Sequence, residues 1–233
     1  MTEEQHLQVL GVDPAPSKPT VLFDGTSFEV LEPLDVRPWL EARLSAEPAT
    51  VVAWDAPLAF DPATSFYVRP VDKRLADAAR AEPAVNTAAF GNLSHWSITC
   101  YTLGFPFGEP PAGLQVVDSL PSELKGPVAI EVHPAFALYQ WWKLAGRVAP
   151  VPAYKKSGRR KRLAAVDELL EAVGSQLQAR GVLADALAAG TAGPDDLLDA
   201  MVAWEVGTRF ARGSTSTVGS AAAGFIVLPE PLQ

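Results

Sequence analysis

The sequence predicts an α/β fold that opens with three antiparallel strands. Apolar runs occupy residues 7–13, 20–23 and 27–31, and prolines separate the first two runs. Asp24-Gly25 lies between the second and third runs, and an Asp-Gly pair in that position is a strong hairpin signal. The chain then alternates between helical and strand-like segments, as α/β proteins do.

The later elements follow from local spacing. Trp39, Leu40 and Leu44 recur at helical spacing, which predicts a helix over residues 37–46. Residues 135–144 are rich in aromatic side chains at the same spacing, and such side chains are usually core. We predict further helices over 71–81, 94–103 and 160–180 and from Pro194 onward, and strands over 50–54, 127–134 and 225–228.

A single domain over residues 1–233 is the predicted organisation, with a loop-rich insertion at about 61–126. The chain shows no internal repeat and no linker rich enough to divide it, and 233 residues can bury a substantial core. Long loops in compact domains are often lids or binding loops, and the sequence leaves open which applies here.

Composition excludes several classes of protein. The net charge of −8 means that the surface as a whole does not attract polyanions, so a nucleic-acid contact must be local. A single cysteine, Cys100, excludes an internal disulfide and every cysteine-rich metal site and favours a reducing compartment. Neither a signal peptide nor a membrane-spanning run is visible, so we expect a cytoplasmic protein.

Carboxylates end three of the strand-like runs. Asp13, Asp55 and Glu131 each lie at or near the end of an apolar run, and such ends gather along one edge of an open α/β sheet, where ligands bind. Taken singly, each acid is more commonly a solvated loop residue or a helix cap. Three such ends in one chain favour a shared site.

The helix after Gly193-Pro194 supplies more acids. Asp195 and Asp196 lie in its first turn, where carboxylates commonly cap a helix. Asp199 shares a face with Asp196 and is flanked by apolar residues, where an acid costs free energy unless it is paired or bound to metal.

A cluster of four or five carboxylates requires cations. Mg²⁺ or Mn²⁺ would suit oxygen ligands, and two ions roughly 3.5–4 Å apart would clamp the attacking and leaving oxygens of a phosphodiester. His133, two residues after Glu131, could be a general acid, a metal neighbour or a hydrogen-bonded core residue.

Six basic residues crowd the stretch from Lys155 to Arg162: Lys155, Lys156, Arg159, Arg160, Lys161 and Arg162. Such a run is either a solvated helix face or a patch that contacts phosphate in an otherwise acidic protein. Glycine-rich phosphate loops, G-x-S-x-G and H-E-x-x-H are absent from the sequence, and Cys100 is the only cysteine, so nucleophilic serine or cysteine chemistry is a poor candidate.

These motifs resemble those of the DUF429 family, which is described as predicted nucleases of RNase H-like fold. The resemblance spans nearly the whole chain. It lies in Gly11-Val12-Asp13, Trp54-Asp55-Ala56-Pro57-Leu58, Ile130-Glu131-Val132-His133-Pro134, Lys155-Lys156 with Gly158-Arg159-Arg160, and Asp195-Asp196-Leu197-Leu198-Asp199-Ala200. The sequence departs from the family's usual motifs in two places: at the prolines at 14, 16 and 19, and at Ala56 and Ala59-Phe60. Neither departure removes a carboxylate.

The resemblance implies an RNase H-like mixed sheet flanked by helices, in which three antiparallel strands precede strands parallel to the first. Asp13 would lie at its centre, Asp55 at the end of the fourth strand, Glu131 and His133 on the fifth, and Asp196 and Asp199 on the last helix.

The leading functional hypothesis is a metal-dependent nuclease or phosphodiesterase. Asp13, Asp55, Asp196 and Asp199 would hold Mg²⁺ or Mn²⁺, and Glu131 and His133 would support metal or water. The predicted contacts to a nucleic-acid backbone or nucleotide phosphate are Lys155, Lys156, Arg159 and Arg160. The alternatives are an enzyme that acts on small nucleotides or phosphate esters and a non-catalytic binding or scaffold protein.

Overall fold

The structure is a computed structural model that describes residues 7–15, 18–47, 49–58, 69–80, 113–155, 158–220 and 224–230. The predicted helix over 94–103, Lys156 and much of the predicted insertion lie outside these ranges. Among the described residues, no helix is both long and apolar enough to cross a lipid bilayer.

A six-stranded mixed sheet forms the centre of the molecule. Its strands are β1 (Gln8–Asp13), β2 (Thr20–Phe23), β3 (Phe28–Leu31), β4 (Thr50–Trp54), β5 (Gln115–Val116) and β6 (Val128–Glu131), in the order β3-β2-β1-β4-β6-β5. The first three strands are antiparallel, whereas β4 is parallel to β1, and β6 is parallel to both β4 and β5. This confirms the predicted mixed α/β fold, and the arrangement is consistent with an RNase H-like sheet.

Helices cover both faces of the sheet. They are α1 (Pro33–Ala46), α2 (Pro70–Arg80), α3 (Pro134–Leu144), α4 (Arg159–Val173), α5 (Arg180–Ala189) and α6 (Pro194–Ala211). Helix α1 packs its apolar side chains on one face, while α3, α4 and α6 build the larger core on the other. A hairpin of β7 (Thr215–Ser220) and β8 (Gly224–Pro229) packs beside α2 and α3.

Close packing fixes α6 on the sheet. A Cβ atom on Gly11 of β1 would lie 2.1 Å from the Ala200 carbonyl oxygen of α6, and one on Gly207 would lie 2.7 Å from a methyl carbon of Val9. Glycine at these two positions lets the helix backbone approach the strand, so larger residues there would push α6 away. This contact sets the distance between the first turn of α6, which carries the acids, and the end of β1.

Two predictions of element boundaries need correction, and one strand was not predicted. The predicted helix over 160–180 ends at Val173, because Gly174 opens a 3₁₀ turn, Gly174–Gln176, that brings Leu177 into the core, and the next helix begins at Arg180. The strand over 127–134 ends at Glu131, and His133 instead caps α3. The predicted strand at 225–228 is confirmed as β8, but its partner β7 was not predicted.

Candidate metal centre

Adjacent strand ends bring Asp13 and Asp55 together. Val12 of β1 pairs with Trp54 of β4, and the Asp55 backbone N–H donates to the Val12 carbonyl at 2.9 Å. Strand alternation puts both aspartates on the sheet face that α6 covers, because Val9 and Ala53 belong to the core on that face. The two carboxylates therefore lie side by side beneath the start of α6.

Helix α6 adds the third carboxylate. Its start at Pro194, after the capping residue Gly193, agrees with the prediction. Asp199 lies one turn further along, only 2% exposed, on the side of α6 that faces the sheet. One carboxylate oxygen from each of Asp13, Asp55 and Asp199 lies within 4.8 Å of the other two, so these residues, here called the acid triad, could hold a divalent cation.

Burial and mutual repulsion raise the pKa values of the acid triad. For Asp13, burial is the largest cause, followed by the charges of Asp199 and Asp55, and the pKa lies well above its usual value. Burial raises the pKa of Asp55 to about 7 although Lys155 opposes the rise. Burial likewise raises the pKa of Asp199, again against Lys155. The protein thus holds these groups where they resist ionisation unless a cation compensates them.

Asp199 has two further partners, Tyr154 and Lys155. The Tyr154 hydroxyl donates to Asp199 Oδ1 at 2.8 Å, and Lys155 Nζ lies 2.7 Å from Asp199 Oδ2. Burial tends to lower the pKa of Lys155, but the nearby anions, Asp199 foremost, raise it well above its usual value. Lys155 is therefore a charged ammonium that compensates one of the three carboxylates.

The two acids in the first turn of α6 pair with cations on other segments. Asp195 accepts a hydrogen bond from Arg162 Nη1 of α4 at 2.5 Å, and Asp196 pairs with Lys18 from the loop between β1 and β2. The described acids that group closely enough to share an ion do not include Asp196. Its predicted role as a metal ligand therefore stays a prediction.

Glu131 belongs to a separate ion-pair network with Arg69 and Asp72. Arg69 Nη1 and Nη2 donate to the two Glu131 carboxylate oxygens at 2.7 and 2.5 Å. The same guanidinium donates to both Asp72 oxygens, at 2.8 and 2.9 Å. Burial raises the pKa of Glu131 to about 7 although Arg69 acts in the opposite direction. These three residues, here called the Arg69 network, are each at most 3% exposed.

His133 begins α3 rather than ending a strand. Its Nδ1 accepts a hydrogen bond from the Phe136 backbone N–H at 3.3 Å, so His133 caps the helix. A ring whose Nδ1 accepts this bond carries its proton on Nε2 when neutral. His133 also lines the cavity that contains the acid triad.

One cavity of about 350 Å³ joins these groups. Seven carboxylates but only three lysine or arginine side chains are found among the described residues that line it, so the cavity is strongly anionic. The seven acids are Asp13, Asp55, Asp72, Glu131, Asp195, Asp196 and Asp199.

The predicted phosphate-binding residues are scattered. Lys155 lines the cavity, and Lys156 lies outside the described residues. Arg159 donates to the Ala192 carbonyl at 3.1 Å, which links the start of α4 to the turn before α6. Arg160 is exposed on α4. Neither arginine is among the described residues that line the cavity.

Sequence reasoning missed Tyr154, Lys18, Arg69 and Asp72. Tyr154 directly precedes the predicted Lys155, so its position next to a motif was an available signal. Arg69 and Asp72 gave no local signal, because Arg69 is distant in sequence from Glu131 and meets it only in the folded chain.

Comparison with protein families gives a match over the second half of the chain. Searches of curated proteins and of solved structures gave no match. Residues 112–223, slightly under half of the chain, match the model of DUF429, described as a protein of unknown function. The match includes Glu131, His133, Lys155, Asp196 and Asp199, while Asp13 and Asp55 precede it. On this match, the chain is similar to the DUF429 family over residues 112–223.

Proposed function

We propose that the protein is a metal-dependent phosphodiesterase that cleaves nucleic-acid phosphodiester bonds. The observation that supports this most is the acid triad, three converging carboxylates at the end of the parallel strands in an anionic cavity. Strand ends of this kind are where α/β proteins place ligands. The family match is compatible with this function and does not name it.

The donor set fits Mg²⁺ or Mn²⁺. Asp13, Asp55 and Asp199 supply hard oxygen ligands, and their raised pKa values reflect a shortage of positive charge that Lys155 alone does not remove. Asp196, at the same cavity, is the proposed fourth ligand and would have to leave Lys18. When bound, such a cation supplies Lewis-acid activation and neutralises charge on the phosphate.

The surrounding side chains hold substrate and orient ligands. Tyr154 fixes the Asp199 carboxylate through its hydroxyl, and Lys155 carries a positive charge at the cavity for a phosphate oxygen. Glu131 and His133, also on the cavity wall, are the proposed supports for a reacting water. Lys156, Arg159 and Arg160 would contact more distant phosphates.

Substitution of Asp13 by Asn tests this function. The carboxylate is lost while the shape is kept, so cleavage of single- and double-stranded DNA and RNA with Mn²⁺ or Mg²⁺ should be abolished. Asp167→Asn, which alters an exposed acid on α4, is the matched control and should cleave at the wild-type rate. Cleavage by Asp13→Asn at the wild-type rate would contradict the proposal.

The size of the cavity favours a second candidate, an enzyme that acts on small nucleotides or phosphate esters. A volume of about 350 Å³ lies within the range of small-molecule pockets, and a net charge of −8 suits a compact substrate better than a long polyanion. This candidate predicts turnover of nucleoside phosphates with no salt-sensitive binding of polynucleotides.

A further inference from the structure

The Arg69 network lies beside the acid triad but shares no residue with it. Glu131 is the last residue of β6, the neighbour of β4, and it pairs with Trp54, the residue directly before Asp55. Alternation along β6 places Glu131 with Ala129 on the α1 side of the sheet, whereas Asp55 lies on the α6 side. The network is thus positioned to act on the backbone around Asp55.

Hydrogen bonds to both neighbouring strands hold the backbone around Asp55. The Asp55 N–H donates to the Val12 carbonyl at 2.9 Å, and the Leu58 N–H donates to Glu131 Oε2 at 2.8 Å. The first bond continues the pairing of β1 with β4. The second ends on a side chain, so it holds the turn only while the Glu131 carboxylate keeps its place.

Arg69 keeps the Glu131 carboxylate in place. Its guanidinium contacts both Glu131 oxygens and is itself held by both Asp72 oxygens at the start of α2. A planar guanidinium with bidentate contacts on two sides allows little rotation of either carboxylate. All three side chains are buried, so water does not replace these bonds.

We propose that Arg69 is a positioning residue for the metal centre: it holds Glu131, which holds the 55–58 turn and thereby fixes the Asp55 carboxylate in the acid triad. The role of Asp55 as a ligand rests on the proposed function, whereas control of the turn does not. Arg69 touches neither substrate nor cation in this role. Residues that orient metal ligands typically change metal affinity by about 10- to 100-fold when altered.

The test compares Arg69→Lys and Arg69→Met with Arg209→Met. Arg209 is a matched control, since it is 3% exposed and pairs with the buried Glu205 on α6 but lies outside the cavity lining. Mn²⁺ binding is measured by electron paramagnetic resonance below the melting temperature of every variant. Both Arg69 variants should bind Mn²⁺ at least about 10-fold more weakly than wild type, and Arg209→Met within about 2-fold.

Hydrogen exchange of the metal-free proteins supplies a readout that needs no metal. The Leu58 amide should lose protection in both Arg69 variants and keep it in Arg209→Met. Unchanged Leu58 protection in Arg69→Lys, the variant less at risk of unfolding, would overturn the positioning role. If wild type binds no Mn²⁺ while Leu58 responds as expected, the proposed function fails and control of the turn stands.

Discussion

Two clusters of charged side chains lie side by side at the end of the sheet, and their charges are paired differently. In the Arg69 network, one guanidinium makes paired hydrogen bonds to two carboxylates. In the acid triad, three carboxylates share Lys155, which contacts one of them. Both carboxylates of the first cluster are paired with a guanidinium, although burial still raises the pKa of Glu131 to about 7, whereas Lys155 contacts only one carboxylate of the second. Charge left uncompensated by the fold is what distinguishes a candidate ligand site from a structural ion pair.

The largest effect on stability should come from the Arg69 network. Arg69→Met would leave Glu131 and Asp72 buried without their partner, and breaking a buried pair costs about 3–5 kcal/mol. Urea unfolding at pH 7.5 measures this loss. A loss below about 1 kcal/mol would show that the network is less buried or less strongly paired than the structure indicates.

Removing an acid from the triad should raise the free energy of unfolding instead of lowering it. Asp55→Asn relieves repulsion among carboxylates, so the metal-free protein should gain about 0.5–2 kcal/mol at pH 8, as sites strained for function often do when neutralised. The same unfolding measurement, made in EDTA, checks the gain. A loss of stability would mean that Asp55 makes a stabilising contact as an anion.

The triad should also set a pH dependence. Burial raises the Asp55 pKa from 3.8 to about 7, so the folded state binds a proton more tightly than the unfolded chain. This contribution to stability is fully present below about pH 4 and is lost as the pH rises to about 7. Unfolding of the metal-free protein from pH 4 to 8 should show this loss, and Asp55→Asn should reduce it.

Mn²⁺ should oppose this loss of stability at higher pH, because a carboxylate must be deprotonated to bind the metal. Stabilisation by Mn²⁺ should therefore grow between about pH 6 and 8. A stabilisation that is constant over this range would contradict binding at the triad.

Lys155→Met sharpens the comparison by removing the ammonium that contacts Asp199 in the triad. Its ammonium lies 2.7 Å from Asp199 and competes electrostatically with a bound ion. Mn²⁺ affinity should rise roughly fivefold, the size expected of a pair with partial solvent exposure, while KM for a phosphodiester substrate should increase. Weaker Mn²⁺ binding would instead indicate that Lys155 positions the Asp199 carboxylate for metal binding.

The smallest effect belongs to the exposed basic face of α4. Arg160→Ala should change stability by less than about 0.5 kcal/mol, because the side chain is exposed. If Arg160 contacts phosphate, the slope of log affinity against log salt for a polynucleotide should fall by about 1. An unchanged slope would remove Arg160 from the proposed interface.

Local patterns predicted the scaffold of the site well. The apolar runs that end at Asp13 and Asp55 are the strands β1 and β4, and the Gly193-Pro194 signal marks the start of α6. These features depend on neighbours in the chain, which is why spacing and turn residues suffice to find them. They predicted a cluster of Asp13, Asp55, Glu131, Asp196 and Asp199, and the structure brings Asp13, Asp55 and Asp199 close enough to share an ion.

The partners of each acid could not be predicted in this way. Asp196 and Asp199 share a helix face, yet Asp196 pairs with Lys18 while Asp199 faces the sheet. This difference depends on the orientation of α6, which the close contact between Gly11 and Ala200 fixes. Glu131 ends a strand as Asp13 does, but its side chain lies on the opposite face of the sheet, where it pairs with Arg69. Tertiary packing therefore decides which carboxylates form a ligand set.

The most direct test of the metal centre is the thermal midpoint of wild type and Asp55→Asn in EDTA, Mg²⁺ and Mn²⁺. At a metal concentration of about 100 times Kd, binding contributes about 2.7 kcal/mol, which corresponds to a rise of roughly 5–10 °C for a protein of this size. We predict this rise for wild type and its absence in Asp55→Asn. An equal rise in both proteins would place the metal elsewhere, and no rise in wild type would contradict a metal centre at the acid triad.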